Sequence, residues 1–357
     1  MQANEAIALL KQLIETPSLS REEDKTADIL MAFLESKGVV AHRSGNNVWA
    51  KNSYFDIKKP TILLNSHHDT VKPNAGYTKD PFSAIVEDGK LFGLGSNDAG
   101  GCLVSLLTTF VNFYHQPKLA YNLVFAGTAE EEVSGKNGVA SILKELEPIG
   151  FAIVGEPTLM QMAVAEKGLM VLDCIAHGKA GHAARNEGVN AISEAMKDID
   201  WFHKHQFEKV SETLGPIKMS VTQIEAGSQH NVVPDQCKYV VDVRSTDAYS
   251  NMELLELIKA GVKSEVNARS TRLNPSSIPQ NHPIVKAGKN LGLSTYGSPT
   301  LSDQALMPYP SLKIGPGDSA RSHTADEYIY LKEIEEGVAL YQSLLGQLLM
   351  SEGPSAS

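Results

Sequence analysis

Apolar residues recur at Ile7, Leu10, Leu13 and Ile14, the spacing of one helix face, and Pro17 ends the run. Ser20-x-x-Glu23 reads as a capping box that opens a second helix, with Ala27, Leu30, Phe33 and Leu34 inward and its end at Gly38. The period then changes. Short apolar runs at Thr61–Leu64, Leu123–Ala126, Ala152–Val154 and Ser311–Ile314 are too short for helices and are followed by turn or polar residues, so they predict buried strands. Helical patterns at Asp98–Phe113 and Asn137–Glu145 lie between the first three runs, and strands alternating with helices imply a mainly parallel sheet in an α/β fold.

From about Lys167 the pattern differs. Leu169–Ala176 reads as extended, Gly188–His205 as helical, Ile217–Ile224 and Gln236–Arg244 as extended, Asn251–Val262 as helical, and Arg269–Leu273 as extended. Strand, helix, strand, strand, helix, strand is the ferredoxin-like order, so residues 167–273 read as an α+β domain inserted into a first domain made of residues 1–166 and 274–357. Pro275–Pro283, rich in Ser, Pro and Asn, suits the return linker, and Glu333–Leu348 reads as a last helix. The Ser, Gly and Pro residues after Leu349 read as a disordered tail.

The 357 residues give ample length for two cores. Lys plus Arg number 32 against 42 Asp plus Glu, a net charge of −10 that argues against a nucleic-acid partner. No apolar run approaches the roughly 18–20 residues that span a bilayer, and the start lacks a basic segment followed by an apolar one, so the expectation is a cytoplasmic protein with no membrane partner. Cys102, Cys174 and Cys237 form no Cys-x-x-Cys pair and read as small core residues.

In an open α/β sheet ligands bind beyond the carboxyl ends of the strands. The four predicted strands lead into His67-His68-Asp69, Glu130-Glu131-Glu132, Gly155-Glu156-Pro157 and Gly315-Pro-Gly-Asp-Ser-Ala-Arg-Ser-His323. Asp98 opens a predicted helix in Gly95-Ser-Asn-Asp98. Each group alone has an ordinary reading: a hydrogen-bonded histidine, a solvated acidic run, a turn, an N-cap. Together they place imidazole or carboxylate at the functional end of every strand, which packing does not require. Imidazole and carboxylate donors without thiolate suit a catalytic metal, and the set exceeds what one tetrahedral ion needs, so two ions sharing a carboxylate would use it in full. By the alternation of an extended chain, Asp69 shares a face with His67 and could accept its second ring N–H, whereas His68 points the other way. Gly93-x-Gly95 with Gly100-Gly101 lacks the spacing of a dinucleotide loop, and a nicotinamide enzyme would need its fingerprint where His67-His68-Asp69 stands.

Seven segments occur in register: Ser66-His67-His68-Asp69, Gly95-Ser-Asn-Asp98, Ala129-Glu-Glu131-Glu132, Gly155-Glu156-Pro157-Thr158, Gly178-Lys-Ala-Gly-His182, Asn231-Val-Val-Pro234 and Gly315-Pro-Gly…His323-Thr-Ala-Asp-Glu327. Over almost the whole chain they resemble the zinc aminoacylase and exopeptidase family that includes acetylornithine deacetylase, succinyl-diaminopimelate desuccinylase and glutamate carboxypeptidase. The resemblance implies a zinc-peptidase-like catalytic domain interrupted by a lid domain through which the chain forms a homodimer. It implies two zinc ions, with cobalt or manganese as substitutes: His67 and Glu156 on one, Glu132 and His323 on the other, Asp98 between them. It makes Asp69 the residue that orients His67, Glu131 the general base, His182 an oxyanion donor reaching an active site across the dimer, and Asn231 and Arg244 substrate-holding residues. The implied substrate is a small N-acyl amino acid, acetylornithine in arginine biosynthesis first, with acetylcitrulline or acetyl-lysine, a succinylated analogue or a dipeptide as alternatives. A metal-free binding protein of the same fold would show a broken ligand, and none is broken. Two departures stand out: Gly100 where many relatives carry Lys, and the stretch His182-Ala-Ala-Arg185-Asn-Glu-Gly, where the lid motif of relatives often continues from its His to a Pro.

Overall fold

The computed structural model describes residues 2–350; the tail read as disordered lies, from residue 351 on, outside the described residues. The chain divides into two compact units, one of residues Met1–Val164, Ser277–Tyr296 and Ser302–Ser357, the other of Ala165–Ser276 and Gly297–Leu301.

In the larger unit the central strands are Thr61–His67, Asn122–Thr128, Phe151–Val154 and Ser311–Lys313. Thr61–His67 pairs in parallel with Asn122–Thr128 on one side and Phe151–Val154 on the other, and Ser311–Lys313 continues the parallel set. The antiparallel hairpin Ala41–Ser44 and Asn47–Lys51 closes one side against Asn122–Thr128. All four central strands are buried along their length, as expected of a sheet covered on both faces. Alternate side chains sort between the two layers. Ile62, Leu64, Leu123, Phe125, Ile153 and Leu312 meet the helices Ala3–Ile14, Gly101–Tyr114 and Leu331–Leu349, while Leu63, Val124, Ala126, Ala152 and Val154 meet Val139, Ile142 and Leu146 of the helix Val139–Leu146. The shared strand direction puts the chain ends after His67, Thr128, Val154 and Lys313 on one edge.

Three local readings differ from the structure. The second helix runs Asp24–Ser36 with Glu23 at its N-cap and no side-chain cap bond, so Ser20 and Glu23 do not form a capping box. The backbone at Ser20 pairs with Thr70 instead, and the Ser20 hydroxyl is drawn to a carboxylate. The third helix starts at Gly101, because Asp98 sits at φ −116°, ψ 96° in a wide turn, Ser96–Gly100, and is no N-cap. Gly100 has a physical reason: a Cβ there would stand 2.5 Å from Gly95 O and 2.6 Å from Leu10 Cδ1, so no side chain fits.

The smaller unit is a four-stranded antiparallel sheet in the spatial order Lys218–Ala226, Gln236–Ser245, Gly168–His177, Glu265–Ala268, with helices Ala191–Lys204 and Asn251–Gly261. This is the ferredoxin-like arrangement. Strand Gly168–His177 alternates buried and half-buried positions, and Leu172, Cys174, Tyr239 and Val241 pack on Ala195, Phe202, Leu254 and Ile258. Asn190 and Ser250 cap the two helices, which is why the first begins at Ala191 rather than Gly188. The last strand lies at Glu265–Ala268, ahead of the expected 269–273, because Val266 is the residue that completes the core. All three cysteines are buried and free.

Candidate metal centre

The five expected ligands, His67, Asp98, Glu132, Glu156 and His323, come together beyond the strand ends of the larger unit. The Asp98 carboxylate lies between two imidazoles, with Oδ1 3.5 Å from His67 Nε2 and Oδ2 3.5 Å from His323 Nε2. His67 Nε2 also faces Glu156 Oε1 at 3.7 Å and Glu131 Oε2 at 4.0 Å. On the far side of Asp98, His323 Nε2 lies 3.0 Å from Glu132 Oε2. Donor atoms of His67, Glu131 and Glu156 form one tight group, and those of His67, Asp98 and Glu132 another.

These spacings fit cations. His67 is buried and its Nε2 has no hydrogen-bond partner, although carboxylate oxygens surround it. Two ligands each about 2 Å from a tetrahedral ion stand roughly 3.3 Å apart, close to the separations around His67. The electrostatics agree. Burial pushes Glu156 up to about 8, with Asp98 adding to the rise, and burial and the charges of Glu156, Asp303 and Glu132 hold Glu131 well above the usual carboxylate range. Burial pulls the His67 imidazole down, but the Asp69 and Asp98 carboxylates raise it well above its ordinary value; the Glu132 hydrogen bond lifts His323 to about 9. A crowd of carboxylates that must take up protons to coexist is a site that divalent cations would relieve.

The surroundings of each ligand explain its aim. His67 Nδ1 lies 3.0 Å from the Asp69 main-chain carbonyl, which makes Nδ1 the donor and leaves Nε2 free to ligate. The sequence reading gave that contact to the Asp69 carboxylate. Its Oδ1 stands 3.5 Å from Nδ1, because three donors hold the carboxylate elsewhere: Glu131 N on Oδ1 at 3.0 Å, and Ser20 Oγ at 2.7 Å and Glu132 N at 3.2 Å on Oδ2. Asp69 therefore fixes the backbone of Glu131 and Glu132 as well as sitting beside His67. Of the acidic run, Glu130 turns away at φ 55°, and its carboxylate accepts from Asn137. His68, on the opposite face as read, has Nε2 2.9 Å from Asn46 O and Nδ1 2.8 Å from Thr26 Oγ1, and burial lowers its pKa, so it is a neutral packing residue.

Ser20, Glu23, Asp303 and Glu327 also support the cluster, a role that nothing local in the sequence marks. Glu23 accepts from Glu130 N and Asn46 Nδ2. Asp303 accepts from Thr128 Oγ1 at 2.7 Å, and burial raises it to about 6. Glu327 accepts from three main-chain N–H groups around Asp98.

The remaining expected residues belong to the smaller unit. His182 is exposed in the short ladder Gly181–His182 against Val232–Val233, and Ala183 N donates to Asn231 O, so His182 and Asn231 adjoin one another. Arg244 makes a two-point pair with Asp242 at 2.9 and 3.1 Å. Among the described residues no helix is long and apolar enough to cross a membrane.

The chain has relatives among known proteins. The family model described as peptidase family M20/M25/M40 matches residues 63–347. An acetylornithine deacetylase of Proteus mirabilis is 27% identical over 379 residues, covering 96% of this chain and 95% of its own. A succinyl-diaminopimelate desuccinylase of Cereibacter sphaeroides is 23% identical over 372 residues, covering 95% and 97%. Among solved structures, the Bacillus subtilis YXEP protein, titled a dinuclear metal binding peptidase, shares the fold with a TM-score of 0.74 at 16% identity, covering 98% of each chain. The chain belongs to peptidase family M20/M25/M40 and is a hydrolase acting on amide bonds.

Proposed function

We propose that this enzyme uses two divalent ions, zinc first among them, to remove the acyl group from the α-amine of a small N-acyl amino acid, with acetylornithine as the first candidate. The observation that carries the two-ion reading is the Asp98 carboxylate, which offers one oxygen to the His67 side and the other to the His323 side at equal distance. His67 and Glu156 would hold one ion, Glu132 and His323 the other, with Asp98 shared. When bound, such a pair supplies Lewis acidity: it lowers the pKa of a water and polarises the scissile carbonyl.

The chain's own residues do the rest. Glu131 lies beside the ligands without being needed as one, and its raised proton affinity suits a group that takes a proton from the attacking water and delivers it to the departing amine. Asp69 sets the main chain of Glu131 and Glu132, which fixes where that proton is taken up. His182 is the proposed donor to the developing oxyanion, supplied across a homodimer, and Asn231 beside it is proposed to hold substrate. For Arg244 to grip the substrate carboxylate, that carboxylate must replace Asp242 on the guanidinium. The cytoplasm is the proposed compartment.

The names of the relatives at 27% and 23% identity support an acylated amino acid and leave acetyl and succinyl groups as rivals. The test is hydrolysis of acetylornithine, acetylcitrulline, acetyl-lysine, succinylornithine and a dipeptide by protein of counted metal content, with and without chelator. Metal-dependent turnover of one acylated amino acid is expected. Turnover of the dipeptide alone would replace deacylation by peptidase action, and turnover that survives complete metal removal would end the two-ion reading.

A further inference from the structure

Asp98 is the hinge of the proposed centre, yet its backbone lies in neither a helix nor a sheet. The wide turn Ser96–Gly100 breaks at Asp98, so its N–H and those of its neighbours need partners from elsewhere. Glu327 provides them. Its carboxylate is 2% exposed; Oε1 accepts from Asn97 N at 2.8 Å and Asp98 N at 2.9 Å, and Oε2 accepts from Gly95 N at 3.1 Å. Successive N–H groups converging on one anion form a nest.

The approach follows from the sheet register. Tyr328–Tyr330 pairs antiparallel with Lys90–Phe92, and Gly93 N donates to Glu327 O, so the two chains run side by side up to the turn. The Glu327 side chain then continues that ladder past the point where the main chains part. A second tie runs in parallel: Asn97 Nδ2 donates to Asp318 O and Asp318 N donates to Asn97 Oδ1, both at 3.0 Å. Both ties join the Asp98 turn to the segment that carries His323. Two ligands of one ion thus arrive on two loops that share this junction.

From this geometry we infer that Glu327 is a positioning residue, holding Asp98 and His323 in register so that the ion shared with Glu132 binds tightly. The inference rests on the two-ion reading above. It goes beyond that reading by assigning to a residue that touches no ligand oxygen the affinity of one site more than of the other.

The test is a titration of metal-free protein with zinc against a chromophoric chelator, repeated with cobalt read by visible absorption. Wild type is expected to take up two equivalents, and His323→Ala marks which one belongs to the Glu132 side. Glu327→Gln presents an amide NH2 to main-chain donors, and it should weaken that same equivalent by about 10–100-fold, the usual cost of losing a group that orients a ligand. The other equivalent, which has only Asp98 in common with it, should weaken by a clearly smaller factor, and circular dichroism should show the metal-free variant folded. Asp326→Asn is the control, because Asp326, the neighbour of Glu327, accepts from Thr78 and Lys79 without reaching residues 95–98. Equal affinities in Glu327→Gln and wild type overturn the inference, as does equal weakening of both equivalents or an equal effect of Asp326→Asn. If Glu327→Gln does not fold, Glu327→Asp carries the test: it keeps the charge, loses reach to at least one N–H, and must weaken the same equivalent. A wild-type protein that takes up no metal overturns the two-ion reading and this inference with it, whereas two equivalents bound alike in wild type and variant overturn the inference alone.

Discussion

Glu131 and Glu132 are neighbours with opposite assignments, and one carboxylate arranges both. Asp69 accepts from the N–H of each, so the loop cannot slide to exchange their places without breaking those bonds. Glu131→Gln keeps the shape and removes the base; it should retain both ions and lose about 10²–10⁴ in kcat, and loss of metal instead would show that the two assignments are reversed. Ser20→Ala removes one donor of three from Asp69 and should lower kcat by a few fold with metal content unchanged, checked by turnover and metal analysis. Protons offer a further reading of the cluster. Glu156 at about 8 and His323 at about 9, with His67 also raised, hold protons at neutral pH that divalent cations must displace. Affinity should therefore climb as pH rises from 6 to 9, and calorimetry in buffers of different ionisation heat should show proton release on binding. Metal binding without any proton release would show that these groups are not crowded with protons. His67, Glu156 and the run Glu130–Glu132 are legible in the sequence because each follows an apolar run at close range, whereas the family resemblance singles out Glu131 within that run and gives His323, farther from its run, a ligand's role. Ser20 and Glu327 are not, since their partners lie 49 and 229 residues away and nothing local marks the contact.

At the level of elements, the central strands are plain in the sequence as short apolar runs; polar residues extend two of them beyond the expected ends, Phe151 adds to the third, and the fourth stops at Lys313, one residue short of Ile314. Asn65 and Ser66 are buried inside Thr61–His67, with Ser66 Oγ donating to Gly155 O, so polarity there does not mean the strand has stopped. The hairpin Ala41–Ser44 and Asn47–Lys51 escaped notice, although Gly45 at φ 58° in Ser44-Gly45-Asn46-Asn47 is an ordinary turn signal. Ser20 shows the opposite error, a motif that matches a cap in spelling while long-range hydrogen bonds use it otherwise. The turn before the third helix gives the sharpest prediction. A methyl group at Gly100 would meet Gly95 O and Leu10 Cδ1 well inside contact distance, with backbone on one side unable to yield. Gly100→Ala should therefore destabilise the metal-free protein by about 1–3 kcal/mol, measured by denaturant unfolding, and a neutral result would mean that the turn moves freely and does not set Asp98.

For the whole molecule, the alternation of strand and helix and the change of pattern near Lys167 are enough to read a parallel sheet and an antiparallel α+β unit, because periodicity reports which face of each element is buried. Periodicity is silent on which exposed side chain meets which site, and that is the situation of His182. It lies exposed in the smaller unit beside Asn231, and Ala184 N donates to its Nδ1, which leaves Nε2 as the atom that can donate to an oxyanion. If His182 serves the site of a second copy, its loss and the loss of Glu131 are repaired by different chains. Equal amounts of Glu131→Gln and His182→Ala, each nearly inactive alone, should regain about a quarter of wild-type activity after subunit exchange. Half of the dimers are then mixed, and each mixed dimer assembles one intact site from its two chains. Sedimentation would establish that dimers are present before and after mixing. Dimers that exchange but recover nothing would confine His182 to its own chain, and fully active monomers would remove the second copy from the mechanism.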